Sequence, residues 1–249
     1  MNVSFFATCL ADTVFPKVAI RSVELLERLG CRVLFNPRQT CCGQPLANAG
    51  YHRAARACMK NLISAFLEDE SDCIVAPSGS CVLQVRDYPE FFKEDAVWLE
   101  KAERVASRVY EITDFLVRIL NVRDVGARLP GRAAYHPSCH MSRRLNVREA
   151  PRILLQHVRE LELIPFEGQD RCCGFGGTFA VTLSDLSGAM VEEKVRALSQ
   201  ARVDYVIGAD CACLMNIAGR IERERLPMKV LHIIEVLSMR NPPGPEPGP

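Results

Sequence analysis

The sequence lacks an excess of charge of either sign: 31 basic residues stand against 30 acidic ones in 249, a formal net charge of +1. No polyelectrolyte field therefore exists to hold nucleic acid or an anionic membrane, and neither is expected as a partner. Long apolar runs are missing too, none approaching the roughly 18 residues that a bilayer span requires. The opening MNVSFFATCLADT has neither a basic stretch nor a long apolar one, so no export leader is expected and the predicted location is the cytoplasm. No nicotinamide or flavin fingerprint occurs, and the stretch GFGGT at 174–178 fits neither GxGxxG nor a Walker sequence. Chemistry that moves a hydride normally needs such an organic cofactor, so it is not expected of this chain alone. At 48% hydrophobic residues the chain can still bury one large core or two smaller ones.

Cysteine is what the sequence has in quantity, twelve residues in all. That is too sparse for a disulfide scaffold and far more than a cytoplasmic protein needs for packing, which points to metal or redox chemistry. Compared with itself, the chain contains Cys41-Cys42-Gly43 and again Cys172-Cys173-Gly174, offset by 131 residues. Upstream, Cys9 matches Cys139 at an offset of 130; downstream, Cys81 matches Cys213 at 132. Two ordered quartets that align this closely indicate a duplicated domain, residues 1–125 and 126–240, divided near 122–132. The Pro/Gly-rich end at 241–249 is expected to be a disordered tail.

Apolar periodicity predicts strands at 3–7, 31–35 and 72–76 with helices at 19–29 and 51–67. The second half repeats the order, with strands at 133–136, 161–166 and 205–207 and helices at 150–158 and 186–201. Such alternation predicts two tandem pseudo-symmetric α/β domains with parallel sheets. The cysteines follow strands, which brings three distant segments of each half to the carboxyl edge of its sheet.

A 4Fe-4S cluster needs four thiolates, and each half offers four: Cys9, Cys41, Cys42, Cys81, then Cys139, Cys172, Cys173, Cys213. One cluster per domain uses them without remainder. Gly43 and Gly174 allow the sharp turn that aims two adjacent thiolates at one centre. A disulfide between neighbours is disfavoured, because their Cα atoms sit about 3.8 Å apart against a lower bound near 4.4 Å for relaxed bridges. Structural zinc also takes four thiolates, although its usual signature is two short hooks. Cys31, Cys58 and Cys73 read as small core hydrophobes. Cys211, two residues before Cys213, reads either as an alternate ligand or as a free thiol.

On these residues the sequence resembles the cysteine-rich CCG-domain family, most closely its lactate-utilization members, over nearly its whole length. The motif is Cys9, Cys41-Cys42-Gly43, Cys81 and again Cys139, Cys172-Cys173-Gly174, Cys213, with APSGSC, CCGFGGTFA and CLMNI as further matching stretches. Related domains occur in the cysteine-rich subunit of heterodisulfide reductase, in the glycolate oxidase iron-sulfur subunit and in anaerobic glycerol-3-phosphate dehydrogenase. The resemblance implies a cytoplasmic protein acting with a ferredoxin-like iron-sulfur subunit and a third lactate-utilization subunit to oxidise L-lactate to pyruvate and feed an electron acceptor pool. One departure stands out: the heterodisulfide reductase domain has a distal CxxC, whose first position here is Ser78 in one half and Asp210 in the other. The fifth ligand of its noncubane clusters is missing, so its disulfide-cleaving chemistry does not transfer directly.

His136, His140, Arg143, Arg144 and Arg171 crowd the loops of the second quartet, while residues 7–12 beside the first carry no basic side chain. These cations either tune a reduced centre or hold a carboxylate substrate, or they form a solvated loop. Two functional readings follow. The chain is an electron-transfer subunit of a lactate-oxidising complex, with iron-sulfur subunits of glycolate or glycerol-3-phosphate dehydrogenases as variants. Otherwise it is a catalytic reductase with an exchangeable position near Cys211.

Overall fold

The computed structural model describes residues 1–240; the tail expected at 241–249 lies outside the described residues. Strands β1 (Asn2–Phe5), β2 (Arg32–Leu34), β3 (Cys73–Ala76) and β4 (Val109–Glu111) form a parallel sheet in the order β2-β1-β3-β4. Strands β5 (Arg128–His136), β6 (Arg159–Leu163), β7 (Tyr205–Gly208) and β8 (Lys229–His232) form a second, in the equivalent order β6-β5-β7-β8. Val3 lies beside both Val33 and Cys73, and Tyr135 beside Ile207. All four residues of β3 are buried, as expected for a central parallel strand covered on both faces. The chain is therefore two tandem α/β units of like topology.

The main helices are α1 (Pro16–Arg28), α2 (His52–Glu68), α3 (Gly79–Arg86) and α4 (Ala96–Ala106), then α5 (Glu149–Gln156), α6 (Ser184–Gln200) and α7 (Cys211–Arg223), which cross between strands, and α8 (Ile233–Ser238), which follows the last strand. Helix α1 starts at a proline, which needs no intrahelical N–H there. It stops at Gly30, whose φ of +84° suits a left-handed residue. The Gly30 N–H reaches the Glu27 carbonyl at 2.9 Å and the Cys31 N–H the Leu26 carbonyl at 3.0 Å, the double closure of a Schellman end.

Periodicity alone misses the outer strands β4 and β8, of three and four residues, and helices α3 and α7, whose first turns hold the distal cysteines. The strand expected at 161–166 instead begins at Arg159 and ends at Leu163. Ile164 makes a last bond to the Ala133 carbonyl at 2.8 Å, and Pro165 has no N–H with which to continue. The larger apolar core is continuous between the halves: Leu25 and Leu26 of α1 lie in the same cluster as Ala133, Tyr135 and Ile233. A smaller cluster around Val195, Val206 and Ile217 lies within the second half. This shared core fixes the two carboxyl edges against one another.

Candidate metal centres

The first quartet is assembled at the carboxyl ends of β1, β2 and β3. Cys9 opens a helical turn, Cys9–Thr13, directly after Thr8, a buried residue held at φ +56° and ψ +143°. That region is sparsely populated for any side chain but glycine's and costs about 1–3 kcal/mol, which the surrounding packing must hold in place. The Cys9 Sγ lies 3.8 Å from the Cys41 Sγ. The thiols of Cys41 and Cys81, together with burial, push Cys42 well above its ordinary value, so the four cysteines act on one another's ionisation. Hydrogen bonds from Cys42 and Cys9 pull Cys41 down to about 2, while the contact with Cys41, followed by burial, pushes Cys9 up. Four thiols this close cannot all ionise unaided, because each thiolate disfavours the next. A metal ion or cluster bound to them would resolve that conflict.

The second quartet repeats the first at β5, β6 and β7. Cys139 leads into the wide turn His140–Arg144, and hydrogen bonds from Cys139 and Cys173 pull Cys172 down to about 2. Contact with Cys172, then with Cys213, pushes Cys173 up. The Gly174 N–H points at the Cys172 Sγ at 3.4 Å, so the glycine loop supplies a backbone donor to a sulfur. Each Cys-Cys-Gly loop is also tied down through the carbonyl of its second cysteine. Tyr88 Oη donates to the Cys42 carbonyl at 2.9 Å, whereas Asn216 Nδ2 donates to the Cys173 carbonyl at 2.8 Å.

Gly43 and Gly174 hold φ of +81° and +83°. A Cβ would stand 3.2 Å from the Ala55 carbonyl oxygen at Gly43 but 2.8 Å from the Ser187 carbonyl oxygen at Gly174. The left-handed conformation alone costs a side chain about 1–2 kcal/mol. Gly43→Ala is expected to lose about that much stability and Gly174→Ala more, since its Cβ would come closer to a backbone oxygen than the one at Gly43 would. Apparent melting temperatures check the order, and an equal or reversed loss contradicts it.

The two quartets face one wall. Asp210, 1% exposed, caps its own helix by accepting the Ala212 N–H at 3.2 Å. Its other oxygen accepts the Ser80 N–H of α3 at 2.9 Å and the Ser78 hydroxyl at 3.4 Å. Ser80 and Ala212 are equivalent positions of the repeat, so one carboxylate joins the starts of both distal helices. On either side lie cavities of about 290 Å³ at the first quartet and about 150 Å³ at the second. Both are lined by Gln44, Ser80, Phe175, Gly177, Asp210 and Ala212. The residues that replace a distal cysteine in the sequence thus join the halves.

Cys211 shares a loop in sequence with Cys213, yet it lines the cavity of the first quartet and packs on Ala11 and Val18. It is buried, and desolvation raises its thiol well above the ordinary value. Cys31 and Cys73 are buried core residues; Cys58 is half-buried on α2. All twelve cysteines are free thiols among the described residues.

The basic residues of the second half divide. Arg144 pairs with Asp87 at 2.8 Å, Arg171 with Glu193 and Glu167, and Arg143 donates to the Asp170 carbonyl at 2.8 Å. These exposed arginines are engaged by acids and a carbonyl, as a solvated loop would have them. Two other basic residues differ from them. His136 is 1% exposed at the end of β5, with neither ring nitrogen hydrogen-bonded, and burial followed by the nearby Lys194 charge lowers it to about 3. Lys194 of α6, which sequence reasoning misses, is buried and donates to the carbonyls of Gly168 and Gln169 at 2.8 and 3.1 Å. Desolvation brings it down to about 8. Its equivalent in the first half is Leu62, a difference that aligning the repeat beyond its cysteines reveals.

Among the described residues one compact metal-type group emerges: a ring nitrogen of His136 and the sulfurs of Cys173 and Cys213, all within 4.8 Å of one another. Single-ion geometry and cluster geometry differ, since a cluster spreads its thiolates over several irons. Both draw on the same donors, which suit soft metals and iron-sulfur chemistry.

Two parallel sheets carrying matched cysteine quartets at adjoining carboxyl edges define a tandem cysteine-rich α/β protein. The family profile described as a cysteine-rich domain, CCG, matches residues 3–86 and again 133–218. The chain is 52% identical over 240 residues to lactate utilization protein A of Anoxybacillus flavithermus, covering 96% of this chain and 100% of that protein. It is equally 52% identical over 240 residues to the uncharacterized protein YkgE of Escherichia coli, with coverage of 96% and 100%. A hypothetical protein from Helicobacter pylori of known crystal structure shares the fold at a TM-score of 0.61 and 9% identity, over 95% of this chain and 48% of that one. The chain belongs to the lactate utilization protein A family of CCG cysteine-rich proteins.

Proposed function

We propose that the chain is the iron-sulfur electron-transfer subunit of an L-lactate-utilizing oxidoreductase. Cys9, Cys41, Cys42 and Cys81 would hold one 4Fe-4S cluster, and Cys139, Cys172, Cys173 and Cys213 the other. The observation that carries the proposal is the meeting of two thiol quartets at a wall shared by both halves, where Asp210 binds Ser80 and Ala212. An iron-sulfur cluster supplies one-electron donor and acceptor capacity. The residues of the chain hold and enclose it: the Cys-Cys-Gly loops aim adjacent sulfurs inward, Tyr88 and Asn216 fix the loop carbonyls, and the shared apolar core keeps the quartets at a constant separation.

The names of the relatives support lactate as the substrate of the assembly. A ferredoxin-like subunit, a third lactate-utilization subunit and an acceptor pool complete this reading, because no feature of this chain suits hydride removal. Twelve unpaired thiols support a reducing compartment, the cytoplasm. Among the described residues no helix is long and apolar enough to cross a membrane. The test is anaerobic purification followed by titration with dithionite. A brown protein that bleaches on reduction and then reduces a low-potential dye supports the proposal, and a colourless protein that takes up no electrons contradicts it.

Cys211 favours a second reading, in which the 290 Å³ cavity admits a thiol, disulfide or 2-hydroxy acid beside the first quartet. Cys211→Ser separates the two. Electron transfer to the dye at the unsubstituted rate supports the relay; lost turnover of the assembled complex with the iron content intact supports catalysis at the cavity.

A further inference from the structure

The repeat makes each residue of one quartet's surroundings comparable with its counterpart in the other. Phe6 precedes Cys9 by three residues, as His136 precedes Cys139. Both lie at the end of the first strand of their half, and both are 1% exposed. Phe6 is fully apolar there and meets Phe66 edge to face, with centroids 5.4 Å apart. An imidazole in the same niche brings two polar nitrogens into a place that a phenyl ring fills without any. Neither nitrogen has a hydrogen-bond partner, and leaving a buried polar atom unpaired costs about 1–3 kcal/mol. A histidine in that position needs a compensating interaction. The sulfurs of Cys173 and Cys213 lie within 4.8 Å of one of its nitrogens. Lys194, another buried polar residue opposite an apolar one in the first half, is engaged with the carbonyls of Gly168 and Gln169.

We propose that His136 is a nitrogen ligand of the second metal centre, which is therefore held by five side chains, while the first is held by four cysteines. The inference rests on the cluster reading above and deepens it. It makes the centres chemically distinct: one is coordinated by thiolate alone, the other by thiolate and a neutral imidazole. The imidazole adds to the four thiolates and replaces none of them, so it brings a further donor without a further negative charge. His140, although adjacent in sequence to Cys139, has no such role; its Nδ1 lies 3.5 Å from Gln44 Nε2 at the cavity wall.

The test is pulsed EPR of the anaerobically purified, dithionite-reduced full chain, grown with histidine carrying either 14N or 15N in the ring. The expected result is a strongly coupled histidine nitrogen on one of two centres, changing with the isotope. It is retained in His140→Ala and lost in His136→Phe, with the signal of the other centre unchanged. Should His136→Phe fail to load or fold, the labelled unsubstituted chain and His140→Ala still decide the matter. Iron and sulfide present without any coupled histidine nitrogen would overturn the ligand and leave the cluster reading standing, as would a coupling that vanishes in His140→Ala. A protein without iron and sulfide would overturn both.

Discussion

Cys42→Ala and Cys173→Ala are each expected to remove about half of the iron and sulfide, from about eight of each per chain to about four. These are the deepest-set members of their quartets, 2% and 3% exposed, and the thiol of each is pushed up by two other cysteines of its own half. Alanine is smaller and apolar, so the protein should fold around the change while losing the ligand that links the adjacent pair to the distal cysteine. Because the sheets are separate and each quartet draws on one of them, the losses should be independent. The doubly substituted chain should contain almost no iron. Metal and sulfide analysis of the three variants checks this. Loss of all iron from one substitution would mean a single centre shared between the halves, and unchanged iron would remove the quartets from the metal sites.

The largest effect on stability is expected at Asp210. Its carboxylate is buried and accepts N–H groups from Ser80 and Ala212, at the starts of α3 and α7. Hydrogen bonds to a charged group contribute about 1.5–3 kcal/mol each, and removing the acceptor leaves the buried Ser80 N–H and the half-buried Ala212 N–H without that partner. Asp210→Ala should therefore destabilise by about 3–5 kcal/mol, a fall of roughly 10 °C in apparent melting temperature for a chain of this size. Asp210→Asn keeps one carbonyl oxygen and should lose about half as much. The loss belongs to the joint between the halves as much as to either one. An alanine variant melting within about 1 °C of the unsubstituted protein would show that the joint does not depend on this carboxylate.

The duplicated strand and helix alternation is legible in the sequence because it is local: the central strands are apolar runs such as Cys73–Ala76, and α1 ends at a glycine whose conformation few other residues adopt. The cysteine pairs are legible because they recur at nearly constant offsets. Short outer strands such as Val109–Glu111 leave no readable alternation and exist because β3 offers a neighbouring edge. Cys211 shows a further limit. Its place in the sequence assigns it to the second quartet, but the first turn of α7 directs it across the joint to the cavity of the first. Asp210 likewise reads as a missing ligand, and its role becomes visible only when Ser80 is packed against it. Proximity in sequence groups His136 with exposed arginines; burial separates it from them, and its alignment with Phe6 is the signal that the repeat holds.

Iron, sulfide and zinc analysis of the anaerobically purified chain decides between two clusters and two structural zinc sites. About eight iron and eight sulfide per chain, with zinc absent, is the predicted result, one 4Fe-4S cluster for each cysteine quartet. Zinc bound without sulfide would contradict the account and make the two quartets structural sites.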